Sequence, residues 1–264
     1  RLHLRYNFNA HTILRLSAGK GFRSANVLAE NISLLASGKR IVFLNEPTME
    51  EAWNFGINLS KHIDIANREL TISLDAYRTS FVNQVLVDRD SDISSIRIYK
   101  LEGQSRSNSL QLEANYELLK GLDVTAAYRL NDVKMTFGDD LLEKPMVNKH
   151  KALLSLSYVT ALKKWQFDFT TQFNGQTRLP GTESNPEIHQ MPPVSPAFTI
   201  FNAQITKYFR KWSLYLGGEN LTNFKQEHPL IAAEKPFGSH FDSGMIWGPV
   251  TGIKVYAGLR FSIE

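Results

Sequence analysis

Apolar and polar side chains alternate along most of the chain. The alternation is clearest in segments 2–8, 53–60, 70–76, 110–116, 122–129, 165–170 and 253–262. Because successive side chains of a β-strand point to opposite faces, each of these segments would present one apolar and one polar face. A helix is expected only at 27–35, as a short element inside a loop. The pattern predicts an all-β, antiparallel fold of about eleven strands.

The connections between these strands are expected to alternate in length. Short ones fall near 9–10, 62–68, 120–121, 161–164 and 210–211, and long ones at 20–50, 88–95, 136–148, 178–197 and 224–251. Short turns on one rim and long loops on the other are typical of bacterial outer-membrane β-barrels, whose long loops lie outside the cell.

A soluble β-sandwich also alternates apolar and polar positions, so the period alone does not identify a membrane barrel. Three features favour the barrel. Segments 69–87 and 96–118 are longer than ordinary strands, aromatic residues crowd the short turns as they do at membrane boundaries, and the polar face is charged enough for a wet lumen. We therefore expect a transmembrane barrel and keep the sandwich as the alternative.

Composition narrows the class further. The 264 residues include 30 Lys and Arg against 26 Asp and Glu, a formal net charge of +4, and no Cys. The basic residues are scattered, which argues against a nucleic-acid partner, and disulfides or Cys metal ligands are excluded. The sequence has no apolar run long enough for a membrane helix. It begins at Arg1 without a signal peptide, so we expect it to be a piece of a longer precursor.

Six short segments resemble motifs of the TonB-dependent receptor family and follow one another in the family's order. Gly-Lys-Gly-Phe-Arg-Ser-Ala at 19–25 resembles the Gly-Phe-Arg-Ala-Pro box, and Leu-Asn-Glu-Pro at 44–47 with 51–56 resembles the Asn-Pro box and the strand after it. The others are 74–78 with 83–85, 102–107 with 110–112, 216–223 and 247–252. The sequence departs from the family where Asn26 replaces the usual proline and where Glu46 interrupts Asn-Pro. Together the segments span nearly the whole chain.

The resemblance implies a fold, a location and partners. Residues 1–264 would be the C-terminal half of a barrel of about 22 strands in the bacterial outer membrane. The receptor would import a chelated nutrient, a ferric siderophore or cobalamin. Its energy would come from an inner-membrane TonB complex acting on a plug domain that this chain lacks. Outer-membrane lipid and the barrel-assembly machinery would be further partners, and no cofactor is implied.

Two other classes of function stay open. One is a passive or structural outer-membrane barrel, a porin or adhesin, and the other is a barrel enzyme such as a lipase or protease. The sequence contains neither a Gly-x-Ser-x-Gly elbow nor a His-Glu-x-x-His pair, so we expect no catalytic residues. The upstream sequence would discriminate, because only the receptor needs a plug with a TonB-binding segment.

The candidate ligand contacts lie in the first long loop region. Phe22 and Arg23 could touch ligand or plug, as could Asn45 and Glu46 in the loop of the altered Asn-Pro box. The structural alternative is favoured for the first pair: the glycines before it relieve a tight strand end, Phe22 packs locally, and Arg23 pairs with an acid in the lumen.

Histidines in the long loops are the remaining candidates for metal binding. His189, His228 and His240 could bind a metal, since imidazole is a common ligand. Their spacing is not that of a ligand set, so solvated side chains are favoured and no metal site is expected. No histidine lies between Phe22 and Pro47, where haem receptors of the family carry one.

The last strand resembles the C-terminal signal by which outer-membrane barrels are recognised for insertion. Gly258, Phe261 and Ile263 carry this resemblance, and Glu264 departs from the usual aromatic end. A final strand must add to an open sheet edge through backbone pairing. Because a half barrel has two such edges, we expect strands 2–8 and 253–263 not to pair with each other.

Overall fold

A computed structural model describes residues 1–92 and 94–262 and is built almost entirely of β-strands. The strands are β1 Leu2–Asn9, β2 Thr12–Ser24, β3 Arg40–Phe43, β4 Met49–Ile65, β5 Arg68–Asn83, β6 Val85–Asp88, β7 Ser95–Lys100, β8 Ser105–Leu119, β9 Leu122–Phe137, β10 Asp140–Glu143, β11 His150–Val159, β12 Trp165–Asn174, β13 Phe198–Tyr208, β14 Trp212–Glu219 and β15 Lys254–Phe261. The helices are α1 Val27–Glu30 and three 3-10 turns at Ile32–Ala36, Ala161–Lys163 and Glu187–His189. No helix in these ranges is long and apolar enough to cross a membrane.

One antiparallel sheet contains most of the strands. Its order is β1-β2-β4-β5-β8-β9-β11-β12-β13-β14-β15, with β10 pairing beside β9. When the short strands of the loops are left out, each main strand therefore pairs with the main strand before it and the one after it in the chain. β1 and β15 are the two edges, and no pairing in the described ranges joins them. The predictions of an all-β class, about eleven main strands and an open sheet are confirmed.

Short turns and long loops alternate between the two ends of the strands, as predicted. The β4–β5 turn places Ala66 and Asn67 at φ 51° and 60°, the left-handed pair of a type I′ hairpin. In the β8–β9 turn, Gly121 has φ 81°, and a Cβ there would lie 2.4 Å from the carbonyl oxygen of Val159. Glycine is required at this turn for both reasons.

The two strands expected to be longest are each divided, which corrects the prediction. β5 ends at Asn83 and β8 begins at Ser105, while β6 and β7 leave the main sheet and form a three-stranded sheet with β3. The alternation continues across the breaks because both sheets have the same period of two. Leu86, Ile96 and Ile98 are almost completely buried, so these residues form a small core among the loops.

The predicted helix at 27–35 is divided at Asn31 into α1 and a 3-10 turn. The Asn31 side-chain amide donates to the carbonyl oxygen of Val27 at 2.8 Å. A side chain that bonds to the local backbone competes with helix continuation, which explains the break.

Pairing across the main sheet separates its two faces. Residues directly opposite each other on paired strands share a face. One such row consists of Leu70, Tyr116, Val124, Leu156, Phe169, Ala203, Gly218 and Val255. The adjacent row consists of Thr71, Asn115, Thr125, Ser155, Thr170 and Asn202. The sheet is therefore apolar on one face and polar on the other.

The apolar face has no protein cover. Val255 is 71% exposed and Leu259 62% exposed, and the buried apolar clusters, such as Leu179 with Ile231 and Met245, lie among the loops instead. On the polar face, side chains bond to one another; the Ser157 hydroxyl, for example, donates to Asp168 at 2.6 Å. Such a sheet is stable in lipid when its apolar face is outward and its polar face lines a wet lumen.

We predict that the apolar face contacts lipid. Pairing places Phe167, Phe169, Leu214, Leu216, Val255 and Leu259 on it, and Gln166, Asp168, Glu219 and Arg260 on the polar face. Spin labels at Phe167 and Leu259 of the full-length protein in liposomes should be relaxed by oxygen, which partitions into the bilayer. Labels at Asp168 and Arg260 should be relaxed by a water-soluble reagent. Lipid contact at Asp168 would refute the assignment, because a one-residue slip reverses every face.

Candidate functional site

The long loops enclose a cavity of about 510 Å³ at the end of β2. Its lining includes Arg23, Glu30, Glu50, Arg89 and Asp90. These residues come from two main strands, the α1 segment and the loop after β6. A cavity of this size can hold a small organic ligand, and its lining includes Arg23, one of the predicted contacts.

Arg23 lies in this cavity and pairs with acids. Its Nε donates to Glu50 Oε2 at 2.8 Å, and its Nη2 lies 3.2 Å from Glu30 Oε2. Glu50 is buried, and its other oxygen accepts from the backbone N–H of Val85 at 3.0 Å. The Arg23 side chain is still 59% exposed, so Arg23 both ties β2 to β4 and faces the cavity.

Phe22 faces the other way. It precedes Arg23 in β2 and therefore projects from the opposite face, where it is exposed, with the Lys20 ammonium 5.2 Å from its ring centroid. The glycines before it do not form a tight strand end, which corrects that expectation. Gly19 pairs with Asn54 and Gly21 with Ala52 in regular register, so β2 continues straight through both.

Asn45 and Glu46 lie outside the lining of this cavity. The Asn45 side-chain oxygen accepts a hydrogen bond from the backbone N–H of Lys100 at 3.1 Å. Asn45 therefore lies at the end of the small sheet, next to the last residue of β7. Glu46 is exposed. The structure thus separates this pair from Arg23, and a ligand role for Phe22, Arg23, Asn45 or Glu46 stays a prediction.

Asp242 joins three of the long loops and had no signal in the sequence. Its carboxylate is 1% exposed and lies 3.0 Å from Lys39 Nζ and 3.3 Å from Arg89 Nη2. Arg89 also donates to the carbonyl oxygen of Gly244 at 2.8 Å. Lys39 and Arg89 are themselves 6% and 12% exposed. The loop cluster, as we call Asp242, Lys39 and Arg89, is therefore a buried ionic contact between segments distant in sequence.

A neighbouring pair extends the loop cluster to a fourth loop. Arg178 Nη2 lies 2.9 Å from Asp90 Oδ1, which also accepts from the backbone N–H of Gly181 at 2.7 Å. Asp90 follows Arg89 directly, so the two ion pairs share one short segment. The loops that line the cavity are consequently held together before any ligand binds, which lowers the ordering cost of binding.

A second cavity, of about 740 Å³, is lined by His189, His228, Phe224 and Trp247 among others. His189 lies beside His240, with ring centroids 5.8 Å apart, and its Nε2 is 3.7 Å from Glu234 Oε1. In residues 1–92 and 94–262 no three His, Asp or Glu side chains converge as a metal-binding group. The cavity is therefore a mainly apolar cleft with imidazoles at its wall.

The predicted insertion signal lies at the edge of the sheet. Gly258 faces Tyr215 across the β14–β15 ladder, and a Cβ at Gly258 would lie 2.2 Å from the tyrosine ring. The reverse pair is Gly217 with Tyr256, where a Cβ would lie 2.4 Å from the ring. Phe261 pairs with Trp212 on the exposed apolar face, and Ile263 lies outside the described residues. Gly258 thus has a packing role, while recognition for insertion stays a prediction.

A sequence model of the TonB-dependent receptor-like β-barrel family matches residues 1–221. The chain belongs to this family. Its open sheet is accordingly a partial TonB-dependent receptor barrel, as the sequence motifs predicted. Among curated proteins, no sequence matches the chain.

Solved structures with the same fold include a copper transporter and two iron receptors. The copper transporter OprC superposes with a TM-score of 0.68 at 15% identity over 98% of this chain and 38% of that one. The ferric-catecholate import receptor Fiu from E. coli K12 gives 0.65 at 13% identity, with 97% and 34% covered. The FrpB iron transporter from Neisseria meningitidis gives 0.65 at 13%, with 97% and 37%. The chain spans about a third of these receptors.

We predict that Asp242→Asn loosens the receptor loops. The substitution leaves two buried cations without their carboxylate, and breaking a buried ion pair costs about 3–5 kcal/mol. Deuterium uptake by peptides spanning 33–44 and 238–246 of the full-length receptor should rise. Glu143→Gln is the matched control, because Glu143 pairs with Lys149 at 3.2 Å where both side chains are nearly half exposed. It should change uptake little. Equal effects of the two variants would contradict a clamping role for Asp242.

Lowering the pH tests the clamping role of the Asp242 carboxylate independently. Burial raises the pKa of Asp242, but Arg89 and Lys39 outweigh burial and leave the pKa below its ordinary value. A carboxyl with a lowered folded pKa adds stability above its unfolded pKa of about 4, and this stability is lost as the pH falls through the folded pKa. Resistance of the loops to pepsin should therefore hold at about pH 5 and decline below about pH 4. In Asp242→Asn, resistance should be low throughout.

Proposed function

We propose that the chain is part of a receptor that imports a metal chelate across the bacterial outer membrane by TonB-dependent active transport. The observation that carries this is the family match over residues 1–221 together with a shared fold over nearly the whole chain. Transport is a property of the complete receptor, of which the chain supplies about a third of the length. The proposed location is the outer membrane, with short turns facing the periplasm and long loops facing outward.

A ferric siderophore is the substrate class that we favour. Several of the solved neighbours are receptors for ferric siderophores or iron, among them P. aeruginosa FpvA in a pyoverdine–iron complex and the ferric-catecholate receptor Fiu. The cavities of about 510 and 740 Å³ among the loops fall in the range that binds small ligands. Cobalamin is the other nutrient class that the family resemblance implies, and none of these neighbours is a cobalamin receptor.

The proposed mechanism divides the work between the parts of the receptor. The loops of this chain would hold the chelate on the outer side, and the barrel lumen would supply the passage. An inner-membrane TonB complex would pull on a plug outside this chain, so we expect no nucleotide site and no catalytic residue here. The barrel-assembly machinery would insert the last strand next to the first strand of the complete barrel.

Within this chain, we assign the Arg23 side of the smaller cavity to ligand contact. Arg23 combines a fixed position, set by Glu50, with a largely exposed guanidinium. Guanidinium groups bind carboxylate and phenolate oxygens through charge-assisted hydrogen bonds. Lys144 lines the same cavity and is exposed. Phe22, on the opposite face, is assigned no ligand contact.

Transport should depend on TonB. We expect a strain that carries only this receptor to accumulate iron-55 from at least one siderophore, from a set of hydroxamate, catecholate and mixed chelates. Deleting TonB or adding a protonophore should abolish accumulation, because binding alone does not move the chelate uphill. Labelled cobalamin is the comparison ligand. Accumulation that persists without TonB would identify a passive barrel and contradict the proposal.

Ligand affinity should distinguish the two neighbours in β2. Arg23→Gln should weaken binding of the imported chelate about tenfold, the magnitude of a lost hydrogen bond to a charged group. Phe22→Ala should stay within about twofold. Since Arg23→Gln also leaves Glu50 unpaired, Lys144→Gln is a second variant, with no ion pair to Lys144 among the described residues. Intrinsic fluorescence titration with the chelate measures all three. Unchanged affinity in both cavity variants would remove the site from this cavity.

A further inference from the structure

The rim of short turns carries a cluster of positive charges. Segments 160–167 and 205–213 contain five Lys and Arg residues and no Asp or Glu. The five are Lys163, Lys164, Lys207, Arg210 and Lys211. Pairing brings the two segments together: Trp165 lies opposite Lys207, and the Tyr208 N–H donates to the carbonyl oxygen of Lys164 at 2.9 Å. We call these five residues the cationic sector.

Among residues 1–92 and 94–262, carboxylates do not pair with the cationic sector. None of its five members forms an ion pair in the parts of the chain that the structure describes. The nearest acid along β12, Asp168, lies on the polar face, where it bonds to Ser157 and Gln166 at 2.6 and 2.8 Å. Lys163, Lys164, Arg210 and Lys211 are exposed, so their charge is directed to the surroundings.

Lys207 connects this charge to the apolar face. It lies on that face between Trp165 and Leu214, and its ammonium is 4.2 Å from the Trp165 ring centroid and 5.5 Å from that of Phe209. Phe209 in turn stacks on Trp212 at 3.8 Å. An amine held by aromatic rings at the end of an apolar surface is in the position of a snorkelling residue at a membrane boundary.

Two other turns on the same rim combine positive with negative charges. At the β4–β5 and β8–β9 turns, Arg68 Nε lies 3.7 Å from Glu117 Oε2, and His62 Nδ1 lies 2.7 Å from Glu69 Oε1. Lys120 is flanked in sequence by Glu117 and Asp123. The β11–β14 turns therefore carry an excess of positive charge that the β4–β5 and β8–β9 turns lack.

We propose that the cationic sector binds the headgroup phosphate of an anionic phospholipid in the leaflet that faces the short turns. The proposal rests on the proposed function, which places the barrel in a membrane. Acyl chains would lie along Phe167, Leu214 and Leu259, directly above the cations, and the phosphate would meet Lys207. A soluble anionic partner would match the charge of the cationic sector but would not cover the apolar surface next to it. Net-negative headgroups are favoured over zwitterionic ones because no carboxylate in residues 1–92 and 94–262 pairs with the five positive charges.

The test counts retained lipids on the full-length receptor. The purified receptor is equilibrated with an equal mixture of phosphatidylglycerol and phosphatidylethanolamine, and native mass spectrometry measures which lipids stay bound. The variant Lys207→Gln/Arg210→Gln/Lys211→Gln removes three charges from the sector. The control Lys61→Gln/Arg68→Gln/Lys120→Gln removes three charges at or near the β4–β5 and β8–β9 turns. Lys207→Met removes one charge and keeps the apolar stem.

We expect the natural receptor and the control to retain phosphatidylglycerol preferentially. Each charge removed from the sector should lower that preference roughly fivefold, the magnitude for a cation near an anionic membrane surface. If the triple variant fails to fold, as judged by heat-modifiable gel migration, Lys207→Met supplies the result. No preference in the natural receptor, or an equal loss in sector and control variants, would overturn the proposal. Iron uptake is measured separately: import without lipid preference contradicts only the lipid site, and lipid preference without import contradicts only the proposed transport.

Discussion

Backbone N–H and C=O groups that cross a bilayer have to pair with a neighbouring strand, because hydrocarbon offers them no other partner. The sheet meets this constraint through an unbroken series of antiparallel ladders from β1 to β15. Irregular backbone is confined to the turns and loops at the two ends of the strands. β6 and β7 leave the main sheet, and the small sheet with β3 gives their backbone groups other partners among the loops. Only the two edges of the arc remain to be paired, which a complete barrel accomplishes by closing.

The buried side chains are distributed differently in this protein than in a soluble domain. The strands bury little of their apolar face against protein, and the buried side chains concentrate in the loops, around Met245, Leu86 and Ile98. Buried ion pairs supplement the hydrophobic contacts there. Asp242 holds Lys39 and Arg89, and Asp90 holds Arg178. Because a buried charge tolerates few alternative geometries, these contacts favour one arrangement of the loops and hence a preformed cavity beside Arg23.

The sequence predicted what local periodicity determines, and failed where distant segments meet. Alternation identified the strands and the faces of Phe167 and Asp168, because side-chain direction in a strand depends only on parity. The alternation wrongly joined β5 and β6 into one predicted strand, because the period of two continues from the main sheet into the small sheet. Arg23 was correctly assigned an acidic partner, but nothing nearby indicated Glu50, 27 residues away. Asp242 had no signal, because its partners lie in other loops. Gly258 was noted for a family motif, whereas its packing against Tyr215 depends on cross-strand register.

The register between β14 and β15 determines how residues near the long loops align with residues near the short turns. A long loop joins β14 to β15, so the connection does not fix their alignment as a tight hairpin would. The reciprocal contacts of Tyr215 on Gly258 and Tyr256 on Gly217 supply that information. A shift of β15 by one residue would turn the Tyr256 ring to the lipid face and remove both contacts. A shift by two would press a ring against a neighbour that has a Cβ. With that register, Leu259 lies opposite Leu214, and Leu214 opposite Lys207. The two tyrosine–glycine pairs thus keep the apolar surface aligned with the cations at its end.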